Sequence, residues 1–400
     1  MSDDVKRSLQ RIHAPDEIEA QRRAWALVRG SFADREPISW QRRNRKPLLA
    51  VALACVVLLA AFLSSPGRAL VGSVRDAVTS DNSTPKPKPA LVALPAGGLL
   101  LVNSAKGPWV VHPDGSMRLL GPWWEGAWSP NAEHVAVTRA HRLAALTPDG
   151  TVKWSLARSK LLHGARWSLE PPSECCRISY LNGRQLRIVA GDGTGDAPLR
   201  DVAGPVAPAW EPGVTRHLAF STIDGRIELV DVDTTKTIWL SAPGDPPTQL
   251  VWSDDGQRLL ALGERTLRVF DAKGNKLWAI GMPVGPSGVV FVRKSHRFIL
   301  IRYSPATQRS DLVLFQAETS PGEARFLYSA PGDFGSLAIS QNGEWLLVGW
   351  VNADQWLFLR LTAAKVEAVS NISEQFGGSP SAPPEKAFPK SVSWCCPASP

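Results

Sequence analysis

Two adjacent pairs of cysteines, Cys175-Cys176 and Cys395-Cys396, are the residues of this chain best suited to covalent or metal chemistry. Adjacent thiols can oxidise within each pair, cross-link one pair to the other, or ligate zinc. Neighbouring side chains chelate one tetrahedral ion poorly, so disulfides are favoured over zinc, and the sequence leaves their connectivity open. Cys55 sits inside an apolar run and reads as a small buried residue. The seven histidines stand singly between His13 and His296 and read as turn or strand-surface residues. The segment Asp192-Gly-Thr-Gly-Asp196 has the oxygens of a calcium loop, but the same composition makes a tight hairpin turn. No Gly-x-Ser-x-Gly elbow, phosphate-binding loop or His-Glu-x-x-His motif occurs. The residues therefore predict no catalytic set, no metal ion and no cofactor.

The elements that would position these cysteines follow from composition. With 44% apolar and 20% charged residues, the 400-residue chain can bury a full core and is neither coiled coil nor disordered. Gly 32, Pro 33 and Trp 16 describe many short segments separated by turns and held by large rigid side chains. The formal charge of +8 is concentrated at the start, where residues 1–47 carry eleven Lys/Arg against seven acids. No basic stripe remains in the rest, which argues against nucleic acid as a partner.

Residues 1–46 contain two amphipathic stripes, Val5/Leu9/Ile12 and Ile18/Trp25/Val28/Phe32, which predict short helices able to meet a cytoplasmic partner or to lie against the membrane. Leu48–Leu63 is an uninterrupted apolar run, and residues 47–65 are expected to form a single transmembrane helix. Its long preceding segment and the lack of a small-x-small site favour an anchor over a cleaved signal. Arg42, Arg43, Arg45 and Lys46 abut its N-terminal side, which predicts a cytoplasmic N-terminus and an extracytoplasmic remainder, where disulfides persist. Residues 66–90 end in alternating Pro and Lys and read as an extended spacer.

Residues 91–400 repeat. GAWSPNAEHVAV from Gly126, PAWEPGVTRHLAF from Pro208, LVWSDDGQRLLAL from Leu250, VVFVRKSHRFILI from Val289 and LAISQNGEWLLVG from Leu337 each give an apolar strand, a polar turn and a second apolar strand. A divergent copy from Ala165 carries Cys175 and Cys176 in its lengthened turn. The anchors Trp128, Trp167, Trp210, Trp252, Phe291 and Ile339 recur at intervals of 39, 43, 42, 39 and 48 residues, the period of one four-stranded propeller blade. Segments such as Thr266–Gly281 supply third and fourth strands with a Trp on the fourth. Residues 99–121 offer three strands without a first, and Trp394, after a polar loop from Ser373 to Lys390, matches the missing anchor. An all-β, seven-bladed β-propeller closed by a C-terminal strand is the expected fold.

These Trp-Ser-Pro/Asp-Asp-Gly units resemble WD40-like β-propeller repeats of bacterial envelope proteins. Asp271-Ala-Lys-Gly-Asn-Lys-Leu-Trp278 resembles the tryptophan-docking motif of quinoprotein-type propellers, which packs blade against blade, and the whole is similar to membrane-anchored propeller proteins of actinobacteria. Propellers host many activities, so the resemblance implies fold more than function. The expected role is a membrane-tethered, non-catalytic module that binds an envelope protein, peptide or glycan on its loop face. A hydrolase or lyase sited in the channel, and a transmembrane anti-sigma regulator, are the alternatives. The second lacks a His-x-x-x-Cys-x-x-Cys motif in the tail, and the first requires acids and histidines in the channel.

Overall fold

A computed structural model describes residues 87–395, apart from 169–175, 215, 283–287, 319–323, 364 and 380. The expected tail helices, the apolar run, Cys55, Cys175 and Cys396 lie outside the described residues. Among the described residues no helix is long and apolar enough to cross a membrane.

The described strands form seven four-stranded antiparallel sheets, six of them in chain order from the innermost strand, a, to the outermost, d. Blade 5 shows why the sequence reads as it does. Its b and c strands, Arg258–Gly263 and Thr266–Asp271, are buried almost throughout because both of their faces are covered by neighbouring blades. They are therefore written as apolar runs rather than as an alternation. The d strand, Lys276–Gly281, lies at the rim and alternates exposed with half-buried residues. The core is divided into layers between blades; Leu260, Leu267 and Val269 of blade 5 meet Phe291, Phe298 and Phe315 of blade 6. Each such side chain contributes about 1.5–3 kcal/mol when fully buried.

The repeated Ser after the anchor closes the a–b turn. In blade 5 the Ser253 hydroxyl donates to Asp255 at 2.6 Å and accepts the Arg258 N–H at 3.0 Å. Ser129 with Asn131 and His134, and Ser340 with Asn342 and Trp345, repeat this arrangement. The hydroxyl thus serves a turn whose backbone would otherwise carry unpaired groups.

The fourth-strand tryptophans dock forward onto the next blade. Trp154 donates its indole N–H to the Gly191 carbonyl at 2.7 Å, Trp239 to Ala272 at 3.0 Å and Trp278 to Ala317 at 2.9 Å. The receiving turn must lack a side chain where the ring lies flat. At Gly274, φ is +83° and a Cβ would meet Trp239 at 2.5 Å. Glycine alone satisfies both demands.

Blade 1 is composite. Ser391–Cys395 pairs antiparallel with Leu99–Asn103, placing Trp394 opposite Leu100, and Pro108–Val111 and Met117–Leu119 complete the sheet. Residues 373–390, read from sequence as a polar loop, instead include two single-turn helices, Ile372–Gln375 and Pro384–Ala387. Phe376 and Phe388 are buried beside them, with Phe376 against Trp356 at 5.0 Å and Trp109 at 6.0 Å. Polar residues outnumber apolar ones here, but two phenylalanines suffice to fix the segment to the core.

The N-terminal approach is also attached. Lys88 forms a parallel bridge with Val369 of the outer strand of blade 7, donating to the Ala368 carbonyl at 2.8 Å and accepting from Ser370 N–H at 2.9 Å. The flanking prolines lack N–H groups, but the single lysine between them supplies both ladder bonds. Its ammonium pairs with Glu367 at 2.9 Å.

Candidate functional site

The inner strands converge on a central channel of about 890 Å³. Its walls come from the a strands of six blades, including Ser391–Cys395 of blade 1, Glu125–Trp128 of blade 2 and Leu162–Trp167 of blade 3. An a strand pairs with b on one edge and turns its other edge inward, so its inward backbone groups need partners. Side chains of the preceding blade provide several. The Asn103 amide donates to the Gly126 carbonyl at 3.1 Å and accepts its N–H at 2.8 Å. Gln249 does the same for Val289, at 2.9 and 3.1 Å, and the Glu125 carboxylate accepts the Gly164 N–H.

What remains at the wall is basic, aromatic and donor-rich. Arg166, Arg293 and Lys390 are its charged residues, and no Asp, Glu or His is among the described lining residues. Arg293 is paired with Asp254 at 2.9 Å, outside the channel wall. Arg166 gives one N–H to the Ala165 carbonyl at 2.7 Å and, like Lys390, has no carboxylate partner among the described residues. Half-buried Trp128 supplies aromatic surface, and Trp167, Trp394 and Phe334 border the wall as buried side chains. Among the described residues, the buried indole nitrogens of Trp128 and Trp167 and the Ser336 hydroxyl have no hydrogen-bond partner. Equivalent anchors do find one: Trp210 donates to the Arg166 carbonyl at 3.0 Å and Trp252 to Ala209 at 3.2 Å. A buried donor left unmade costs about 1–3 kcal/mol.

Each sequence anchor ends or nearly ends an a strand. Trp167, Trp210, Trp252, Phe291, Ile339 and Trp394 are buried, whereas Trp128 is only half-buried. Cys395 ends the first strand of blade 1 and reaches the channel wall, and Cys176 directly precedes the b strand of blade 3 and packs beside Trp167. Both thus border a–b turns, on one face of the ring. Oxidation of Cys395 is the sequence expectation that thiol chemistry tests directly. Thiol labelling of the unfolded, unreduced chain followed by peptide mapping is expected to miss Cys395 and to reach it only after reduction; labelling before reduction contradicts a disulfide there.

Several groups that sequence reading left as surface residues are ion-paired between strands or blades. Asp196 accepts from Arg187 at 2.6 Å, from the Tyr180 hydroxyl at 2.7 Å and from Arg158 of the preceding blade. Burial by itself raises the Asp196 carboxyl, but these hydrogen bonds outweigh it and hold its pKa below the ordinary value. The same burial, with the bond to Asp196, pushes the Tyr180 hydroxyl up to about 12. Two guanidinium groups on one carboxylate are the opposite of a calcium site, and Asp192 is occupied in capping Thr194 of the same turn. His296 lies between Asp255, at 2.7 Å, and Glu318, and His217 meets Glu211 at 2.8 Å. Burial raises the Glu211 carboxyl despite that partner. Among the described residues no group of three or more His, Cys, Asp or Glu side chains could hold a metal ion.

Fold and site together define a β-propeller with a basic, aromatic-lined central channel. No protein-family model matches the chain, and no curated protein matches it in sequence. Among solved structures the chain is similar to hydrazine synthase of Kuenenia stuttgartiensis, at 12% identity and a TM-score of 0.49 over 59% of this chain and 76% of that one. It is also similar to the WD40 domain of Toxoplasma gondii coronin, at 12% and 0.49 over 61% and 69%. BamB from Moraxella catarrhalis aligns at 15% and 0.43 over 63% and 78%. The overlap is partial in each case, and the propeller stands on the strand order of this chain itself.

Proposed function

We propose that this chain is a membrane-tethered, extracytoplasmic propeller that binds an envelope protein, peptide or glycan at its ring of inner strands and loops, and that it is kin to membrane-anchored actinobacterial propeller proteins. Binding is supported by the channel wall, where donors and aromatic side chains converge and the Glu125 carboxylate beside it is already held by the Gly164 N–H and the Thr138 hydroxyl. Tethering is supported by the Leu48–Leu63 run and the basic cluster before it. Disulfides in the cysteine pairs, expected from the sequence, would fit the same side of the membrane.

Orientation and binding have separate tests. A reporter active only outside the cytoplasm, fused after Pro400, is expected to be active in intact cells; a cytoplasmic reporter bright in its place reverses the topology. For binding, a photo-crosslinking residue is placed at Gln341, at the channel wall, or at Lys276, on an outer strand, in the full-length protein in its own membrane. A discrete adduct from Gln341 and none from Lys276 is expected. Equal labelling from both positions, or none from either, rejects the module.

A further inference from the structure

We propose that the central channel is a binding site for a short anionic saccharide, which it holds by charge at Arg166 and Lys390 and by ring contact with Trp128. The inference rests on the binding-module reading and narrows it to one ligand class. Three observations carry it. First, the charged residues that line the cavity, Arg166, Arg293 and Lys390, are basic, while the nearby Glu125 carboxylate is taken up by the Gly164 N–H and the Thr138 hydroxyl, and such a lining draws in anions. Arg166 and Lys390 have no carboxylate partner among the described residues, so both remain available, whereas Arg293 is held by Asp254. Second, Trp128 brings half-buried aromatic surface, Trp128 and the buried Trp167 carry indole N–H groups that lack acceptors among the described residues, and Ser336 adds a hydroxyl in the same condition. Small rotations toward the lumen give these donors the hydroxyl and ring oxygens of a sugar, and the Trp128 ring itself suits its C–H faces. Third, the inward backbone edges that an extended peptide would pair with are already taken at Gly126, Gly164 and Val289 by Asn103, Glu125 and Gln249. That capping disfavours strand addition and leaves side-chain recognition of a compact, oxygen-rich ligand. A volume of about 890 Å³ lies within the range of small-ligand sites and accommodates two or three sugar rings.

The purified full-length chain in detergent is titrated with trigalacturonate, with galactotriose as the neutral counterpart and pentaglutamate as an acidic peptide, following tryptophan emission and heat. Trigalacturonate is expected to bind saturably, and galactotriose about tenfold or more weaker, the factor that about 1.4 kcal/mol of charge recognition represents. Arg166→Gln and Lys390→Gln are each expected to weaken trigalacturonate by about tenfold on the same scale, and Lys276→Gln to leave it unchanged. Lys390 directly precedes the Ser391–Cys395 strand and its side chain joins no ion pair among the described residues, so that variant keeps the test valid if Arg166→Gln is unstable. Trp128→Phe, which keeps a ring and removes the donor, is expected to weaken binding with little change in melting temperature. No saturable binding, equal binding of the neutral trimer, or indifference to both basic substitutions overturns the proposal. Tighter binding of pentaglutamate overturns it in favour of an acidic peptide. If trigalacturonate fails while the Gln341 adduct persists, the saccharide inference falls and the binding module stands.

Discussion

Substituting Trp394→Ala is expected to lower the stability of the ring by about 3–5 kcal/mol, as for other buried aromatic side chains cut back to alanine. Trp394 is 4% exposed, donates its indole N–H to the Gly97 carbonyl at 3.0 Å and meets Phe358 of blade 7 edge-on at 5.9 Å. It therefore joins the composite blade to the last blade as well as to its own second strand. Removing residues 390–400 should do more, because it also strips the strand that covers Leu99–Asn103 and leaves an unpaired edge at the channel. Thermal unfolding of the wild type, Trp394→Ala and a truncation at Ser373 checks this: the wild type melts highest and the truncation lowest or not cooperatively. Coincident melting of all three would falsify closure by the C-terminal strand.

Asp196→Asn should produce a loss of similar size from a different cause. The carboxylate is 7% exposed and neutralises Arg187 and Arg158, so its replacement leaves two guanidinium groups in a site without a counter-charge. Breaking such a partly buried network by removing one partner costs about 3–5 kcal/mol. Because Arg158 is about a third exposed, the lower end of that range is expected. The wild-type network also sets a pH dependence. Asp196 has its folded pKa below the ordinary 3.8, so its contribution is full above that value and fades as the pH falls through the lowered one. Tyr180 has the reverse sign: its pKa is raised from 10.0 to about 12, so its contribution is full below 10 and fades as the pH rises toward 12. Chemical denaturation of both forms from pH 2 to pH 7 is the measurement. The gap between them should be constant near neutrality and close at the acid end; a gap independent of pH rejects the charge network. Asp192→Ala, in the same turn but facing solvent, should stay close to wild type.

The parts of this fold that were legible in sequence are those that repeat. The Ser253-Asp-Asp-Gly256 turn, the anchor Trp252 before it and the docking Trp278 recur because each blade solves the same local problem in the same way, and period alone exposes them. The closing strand was legible for the same reason, since one unit lacked its first strand and one Trp was left over. The Phe376 and Phe388 contacts were not, because they occur once, in a segment whose composition is polar. The Asp196 network was hidden too: Tyr180 and Arg187 face each other on neighbouring strands of blade 3, Arg158 follows the last strand of blade 2, and no spacing joins the three until the blades stack. The channel was legible only in outline. Its charge comes from Arg166, in a strand, and Lys390, just before one, residues that look like ordinary solvent-facing positions until the ring closes around them.

The pairing of the first and last strands of blade 1 also orders events in time. Trp394 and Gly97 lie 297 positions apart, so their contact cannot form until every blade between them has been synthesised. Six blades can fold one after another as they emerge, each on the previous one, while Leu99–Asn103 waits with an open edge. Loop closure over such a distance grows only logarithmically in cost, so delay rather than entropy is the hazard. A ring built this way is exposed to proteases and to pairing with a second chain for most of its assembly, and gains its resistance in a single final step.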